Sequence, residues 1–204
     1  MDKYKKLMSV ISRALRKVDS RDNWAFYGVV IGTTTSGKTT LSLTLASLFT
    51  HMYSNSKCYI TTNLDYLNDL SGLEGKNIAI IFDDVSNRIK RYSDTLTKLY
   101  TVRHPTNEAI DTINKNIFML FNCHYMRSIA PFIRSTPLRI LTSITESEIR
   151  AYSSEYLFTI STLWDYLHYY YKYEDKYIVL ISVYGREHIM DVTGLVLNEC
   201  EVIE

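Results

Sequence analysis

Apolar positions along this chain fall into two kinds of run, one at helical spacing and one unbroken. Tyr4, Leu7, Met8, Ile11, Leu15 and Val18 recur at three- and four-residue intervals, with Lys5, Lys6, Arg13, Arg16 and Lys17 on the other faces. That spacing predicts an amphipathic helix near the start, ended by the polar stretch from Asp19 to Asn23. Its basic face reads as a solvated surface or as a contact for nucleic acid or anionic lipid. Unbroken apolar runs follow at 24–31, 57–62, 77–82, 116–123 and 138–143, each too short for a helix and rich in β-branched or aromatic residues. These read as strands, and helical patterns lie between most of them. Leu157, Ile160, Leu163, Trp164, Leu167 and Tyr171 mark a later helix, and Tyr177 to Tyr184 with His188 to Val192 read as two strands joined around Gly185.

Strands alternating with helices predict an α/β protein with a mostly parallel central sheet flanked by helices, which places ligands at the carboxyl ends of the strands. The expected organisation is one domain: an N-terminal helix over 1–22, a core over 24–143, and a helix and strand extension over 144–204 that widens the sheet. The length of 204 residues and a hydrophobic share of 46% support one substantial core. With 7 glycines, 3 prolines and no low-complexity segment, disorder is not expected. A net charge of +1 constrains partners little, because a neutral total can hide a basic face. No apolar run approaches bilayer length and the opening Met-Asp-Lys-Tyr-Lys-Lys lacks a signal-peptide core, so a soluble intracellular protein without membrane contact is expected. Cys58, Cys123 and Cys200 are odd in number, far apart and without closely spaced His partners, which predicts reduced thiols rather than a zinc site or a disulfide framework.

Candidate chemistry begins where the first strand ends. The run Gly32-Thr33-Thr34-Thr35-Ser36-Gly37-Lys38-Thr39, followed by Thr40 and a Leu-rich helical stretch, is a Walker A phosphate loop in sequence. Its glycines let the backbone curl around phosphate oxygens, its N–H groups point inward, and the following helix aims its positive end at the anion. Lys38 is placed for the β- and γ-phosphates and the Thr39 hydroxyl for Mg²⁺. Thr35 stands where many such loops have a third glycine. The apolar strand Asn77-Ile-Ala-Ile-Ile-Phe-Asp83-Asp84 ends in two carboxylates, a Walker B pattern. Asp83 is the candidate for the Mg²⁺ shell, and Asp84 either orients or deprotonates a water attacking the γ-phosphate or caps a helix starting near Ser86. The strand 116–123 ends in a second polar pair, Asn122 and His124, either of which could face the γ-phosphate.

Beyond these motifs come Arg103-His104, the strand that ends at His124, and Ile129-Ala-Pro-Phe-Ile-Arg134. That succession resembles the FtsK–HerA superfamily, above all its viral genome-packaging ATPases, and the small domain with a Tyr-rich tail is most similar to those of archaeal turreted icosahedral viruses. The resemblance spans about Trp24 to Thr142. It implies a RecA-like P-loop NTPase with core strand order 5-1-4-3-2. Counting back from Arg134, it also puts His124, rather than Asn122, at the position of a sensor Gln, with Asp84 where a Glu is usual. It further implies ATP and Mg²⁺ as ligands and a homo-oligomeric ring, a hexamer or pentamer, in which Arg103, or second Arg134, acts on the neighbour's nucleotide. The implied function is ATP-driven packaging of double-stranded DNA into a preformed capsid, with capsid or portal-vertex proteins as partners, in the host cytoplasm at the virion or procapsid vertex. Arg88, Lys90, Arg91 and Lys98 are candidates for the DNA channel. A nucleoside or nucleotide kinase and a nucleotide-gated assembly protein are the alternatives. The tyrosines Tyr166, Tyr169, Tyr170, Tyr171 and Tyr173 are expected to pack against the sheet or a neighbour more than to stack on bases.

Overall fold

The computed structural model describes residues 2–16, 18, 23–86, 88–92, 94–96, 114–124, 136–154, 157–195 and 200–204. Eight strands form one sheet: β1 (Trp24–Ile31), β2 (Ser56–Thr61), β3 (Asn77–Phe82), β4 (Asn116–Cys123), β5 (Leu138–Leu141), β6 (Ile178–Val183), β7 (Arg186–Asp191) and β8 (Glu201–Val202). Among the described residues the longer helices are α1 (Asp2–Leu15), α2 (Lys38–Met52), α3 (Glu146–Ser154) and α4 (Ile160–Lys172). The strand order is β7-β6-β5-β1-β4-β3-β2-β8, so the expected core order 5-1-4-3-2 is present within it. The pairs β1–β4, β1–β5, β3–β4, β2–β3 and β2–β8 are parallel, while β6 runs antiparallel to both β5 and β7.

Every residue of β1, β3 and β6 is buried, which means both faces of these strands are covered and explains why they read as continuous apolar runs. Trp24, Phe49 and Phe118 pack as one aromatic group, with Phe49 stacked 5.4 Å from Phe118 and edge-on at 6.1 Å to Trp24. Gly28 lies where β1 is flanked by Leu120 and Leu138, whose side chains fill the space a Cβ would need. Helix α1 buries Leu7, Val10, Ile11, Ala14 and Leu15, and leaves Met8 exposed although its spacing suggested the core. The hydroxyl of Tyr184 donates to the carbonyl of Ala14, tying the end of α1 to the β6–β7 turn.

Register is what creates a site. Ile31 pairs with Cys123 and with Leu141, and Phe82 pairs with Phe121, so four parallel strands end nearly level. The next residues, Gly32, His124, Thr142 and Asp83, therefore converge on one edge. Strand β6, antiparallel to β5, starts at that edge and runs away from it: Leu180 lies beside Leu141, which puts Tyr177 past the end of β5.

Two expectations are corrected here. Cys58 and Cys200 form a disulfide, with Cα atoms 4.7 Å apart. The 142-residue separation conceals this pairing, because β8 joins the sheet at Tyr59↔Glu201 and sets the two preceding cysteines side by side. Cys123 alone is a free thiol, and it is buried. The run 138–143 is strand only to Leu141, since Thr142 and Ser143 turn toward the loop after β1. Of the tyrosine cluster, Tyr166 is fully buried and donates to the carbonyl of Ile178, whereas Tyr169 and Tyr171 are exposed. No helix among the described residues is long and apolar enough to cross a membrane.

Candidate functional site

Gly32 opens the loop at a point where a side chain has no room: a Cβ would sit 2.1 Å from the Thr142 hydroxyl and 2.4 Å from that of Ser36. Those two hydroxyls bond each other at 2.7 Å, and Ser143 accepts from the Thr33 backbone N–H at 2.8 Å. The end of β5 thus braces the loop from below. Gly37 adopts φ 78 and Thr35 φ 65, both left-handed. Glycine takes that conformation freely, while a β-branched residue bears a cost on the order of 1–2 kcal/mol. Helix α2 then begins at Lys38, with Thr33, Thr34, Thr35 and Thr40 exposed toward solvent.

The Lys38 ammonium is buried and donates to the carbonyls of Gly32 at 3.0 Å and Thr33 at 2.6 Å. Burial pushes its pKa down, and the nearby carboxylates of Asp83 and Asp84 oppose that shift. Its third contact is the Nδ1 of His124 at 3.3 Å. The Thr39 hydroxyl donates to the Asp83 carboxylate, 2.9 Å from Oδ2 and 3.2 Å from Oδ1. Asn122 is wholly buried beneath them. Its carbonyl oxygen accepts from Ser42 at 2.6 Å and its amide donates to Asp83 Oδ1 at 2.7 Å, which holds that carboxylate against Thr39.

His124 stands one residue past β4 with its side chain partly exposed. Its backbone N–H donates to the Ser86 hydroxyl at 2.7 Å, and its Nε2 lies 2.9 Å from Asp84 Oδ1. The Asp84 carboxylate is therefore turned to His124, not to the short 3-10 turn Ile89–Tyr92 that follows. Asp84 has φ 49, an uncommon left-handed conformation for a residue other than glycine. Beside it the Cys123 thiol is pushed up to about 12 by burial and stays protonated.

Donor chemistry at Thr39 and Asp83 fits a small hard cation. Both present oxygen, and among the described residues no group of three or more His, Cys, Asp or Glu side chains could cage a metal ion. Mg²⁺ suits such a site, since it is held by one or two protein oxygens with the remainder from water and phosphate.

Most of the sequence-predicted site residues are brought together: Lys38, Thr39, Asp83, Asp84, Asn122 and His124 form one connected cluster around the loop. Asn122 and His124, alternatives in the sequence, hold separate places, Asn122 under Asp83 and His124 beside Lys38. Arg103, Arg134 and Lys98 lie outside the described residues, as does the side chain of Lys90. Arg88 is exposed and donates to the Asp84 carbonyl at 3.1 Å. Sequence reasoning missed Thr142, Ser143 and Tyr177. The first two directly follow a strand of the parallel core, a position that signals a site residue in this kind of sheet. Tyr177, whose hydroxyl reaches the Gly37 carbonyl, had no local signal.

The strand order, with the glycine-bounded loop between β1 and α2, defines a RecA-like P-loop NTPase fold. Among solved structures the chain is similar to the genome packaging NTPase B204 from Sulfolobus turreted icosahedral virus 2. Against its complex with ATP-gammaS the TM-score is 0.52 at 11% identity, covering 84% of this chain and 98% of the other. Against its sulfate complex the TM-score is 0.53 at 12% identity, covering 89% and 99%. The complex with AMP gives 0.52 at 12% identity, covering 83% and 96%. Likeness at this level of identity is likeness of fold. No protein family model matches the sequence, and no curated protein does.

Proposed function

We propose that this chain is a nucleoside triphosphatase that binds ATP with Mg²⁺ at the Gly32–Thr39 loop and couples its hydrolysis to packaging double-stranded DNA into a viral capsid. The observation that carries this reading is the meeting of Lys38, Thr39 and Asp83 at the mouth of a glycine-bounded loop that opens a helix. Main-chain N–H groups and the α2 dipole suit a polyphosphate, and Lys38 needs only to exchange loop carbonyls for phosphate oxygens. Mg²⁺ would be held by the Thr39 hydroxyl and the Asp83 carboxylate, and when bound it neutralises charge on the phosphate oxygens. Asn122 keeps the Asp83 carboxylate oriented for that task. Asp84 and His124 would meet the water that attacks the terminal phosphate, since His124 contacts both Asp84 and the phosphate-binding Lys38.

Packaging is supported by the shared fold with the turreted-virus packaging NTPase. In this reading the chain forms a homo-oligomeric ring whose sites are completed by a neighbour's Arg103, or second by Arg134, because charge building on the transferring phosphoryl group needs a cation. Arg88 and Arg91 are exposed on the segment after Asp84 and would contact DNA phosphates, with Lys90 and Lys98 as further candidates. The link from the Arg88 guanidinium to the Asp84 carbonyl gives that segment a direct tie to the site. The ring would dock on capsid or portal-vertex proteins at the procapsid vertex in the host cytoplasm.

The test is phosphate release from each nucleoside triphosphate, with and without duplex DNA. Mg²⁺-dependent release stimulated by duplex DNA, and lost in Lys38→Ala, is expected. Hydrolysis indifferent to DNA in assembled protein would overturn the packaging role, and transfer of phosphate to a nucleoside would make the chain a kinase.

A further inference from the structure

Asp84, His124 and Lys38 form a chain of contacts whose proton positions follow from chemistry. A lysine ammonium only donates, so the Nδ1 of His124 at 3.3 Å from Lys38 Nζ must be the accepting nitrogen. The ring proton then sits on Nε2 and points at Asp84 Oδ1, 2.9 Å away. This is the arrangement in which a carboxylate fixes the tautomer of an imidazole and leaves the opposite nitrogen as a base. The surroundings hold both partners in place. The Ser86 hydroxyl accepts the His124 backbone N–H, the Val85 backbone N–H donates to the Asn122 carbonyl at 3.3 Å, and Asp84 is kept in its left-handed conformation between them. Uncommon backbone conformations held by their surroundings concentrate at functional sites.

We propose that His124 is the catalytic base of the hydrolysis and that Asp84 is its positioning carboxylate, an inference that rests on the triphosphatase reading above. When Lys38 moves its contact to the β- and γ-phosphates, the Nδ1 lone pair of His124 is released toward the terminal phosphate. A water oxygen bonds to the γ-phosphorus and the bond from phosphorus to the bridging oxygen breaks, its electron pair leaving on the nucleoside diphosphate. The water proton goes to Nδ1. The Asp84 carboxylate stabilises the imidazolium through Nε2–H without taking the proton, which then passes from Nδ1 to solvent or to the released phosphate. A short aspartate can serve here because the imidazole ring spans the distance its own side chain does not.

The experiment compares single-turnover and steady-state hydrolysis of Mg²⁺-ATP by wild type, His124→Ala, Asp84→Asn and the double variant. ATP affinity and thermal unfolding are measured on each to show that the variants are folded and loaded. Expected are a kcat loss of about a hundredfold to ten-thousandfold in His124→Ala, with ATP affinity within about threefold of wild type. Added imidazole should restore turnover in His124→Ala in proportion to its concentration and leave Asp84→Asn unchanged. The double variant should be no slower than His124→Ala alone, since residues that act as one unit are not additive. A His124→Ala kcat within about threefold of wild type, or single losses that multiply in the double variant, would overturn the dyad while leaving the triphosphatase reading intact. Absence of hydrolysis by the folded wild type would overturn both.

Discussion

The hydroxyl of Tyr177 donates to the carbonyl of Gly37 across 2.7 Å, joining the residue ahead of β6 to the loop residue ahead of α2 from 140 positions away in the chain. The tyrosine side chain also stands where a Gly37 side chain would be, its hydroxyl oxygen 2.7 Å and its ring Cζ 2.8 Å from an added Cβ. The strand extension therefore reaches back and presses on the point where the loop becomes helix. Tyr177→Phe removes the hydroxyl and keeps the ring, and the Gly37 carbonyl retains the Leu41 N–H at 2.9 Å. One neutral hydrogen bond contributes about 0.5–1.5 kcal/mol. We expect a stability loss of that size by urea unfolding, and, because this bond braces the loop, ATPγS affinity weakened by roughly twofold to tenfold by calorimetry. Tyr177→Ala should cost more on both readouts, because the packed ring is lost as well. Equal affinity in Tyr177→Phe and wild type would limit the tyrosine to packing.

Gly32→Ala is a sharper test of the loop. The new methyl would meet the hydroxyls of Thr142 and Ser36, which are bonded to each other and short of space to retreat. Overpacking at such a point costs about 1–3 kcal/mol, and the displaced loop should lose measurable ATPγS binding. Gly72 offers the control: no atom lies within 4 Å of its added Cβ, so Gly72→Ala should leave affinity unchanged.

The sequence made the parallel core and its edge chemistry legible for one physical reason. Strands buried on both faces carry predominantly apolar runs, so β1, β3 and β4 are legible to the residue, and the first residue after each run, Gly32, Asp83 or His124, lies at the site edge. Relationships set by register and tertiary approach left no such mark. Asn122 falls inside an apolar run because its amide is satisfied by Ser42 and Asp83, so its buried place beneath the site is visible only in three dimensions. Tyr177 lies among many tyrosines and is distinguished by where β6 begins, not by its neighbours in sequence. The Cys58–Cys200 bond depends on a two-residue strand, β8, too short to produce any pattern of its own.

That bond makes a direct prediction. Linking residues 142 apart removes chain entropy from the unfolded state worth up to about 5 kcal/mol, with about 2–4 kcal/mol typical in practice. For a protein of this size each kcal/mol moves the unfolding midpoint by about 2–4 °C. Reductant, or Cys200→Ser, should therefore lower the midpoint by about 4–16 °C. Protease should also release the last residues, which are otherwise held by Ile203 N–H on the Ile60 carbonyl and by the Tyr66 hydroxyl on that of Glu204. Iodoacetamide in denaturant without reductant should label one cysteine, Cys123. Labelling of all three would show that the bond is not formed.

Stability should also decline on the alkaline side, in an order set by buried acids. Burial raises the Cys123 thiol to about 12, and it raises the phenols of Tyr152, Tyr166 and Tyr177 as well. Each group favours its protonated form when folded. The stability it contributes is therefore complete below its unfolded pKa, about 8.5 for the thiol and about 10 for the phenols, and is lost as pH rises from there toward the folded value. Lys38 acts in the opposite sense: its lowered pKa makes the charged form costly when folded, and that cost eases as pH climbs toward the ordinary lysine range. One cation against four acids leaves a net fall. Urea midpoints should begin to decline near pH 9 and drop more steeply above pH 10. Cys123→Ala should remove the earlier part of the decline and Tyr166→Phe should flatten the later part. A midpoint independent of pH between 8 and 11 would mean that these groups ionise as freely in the folded chain as in the unfolded one.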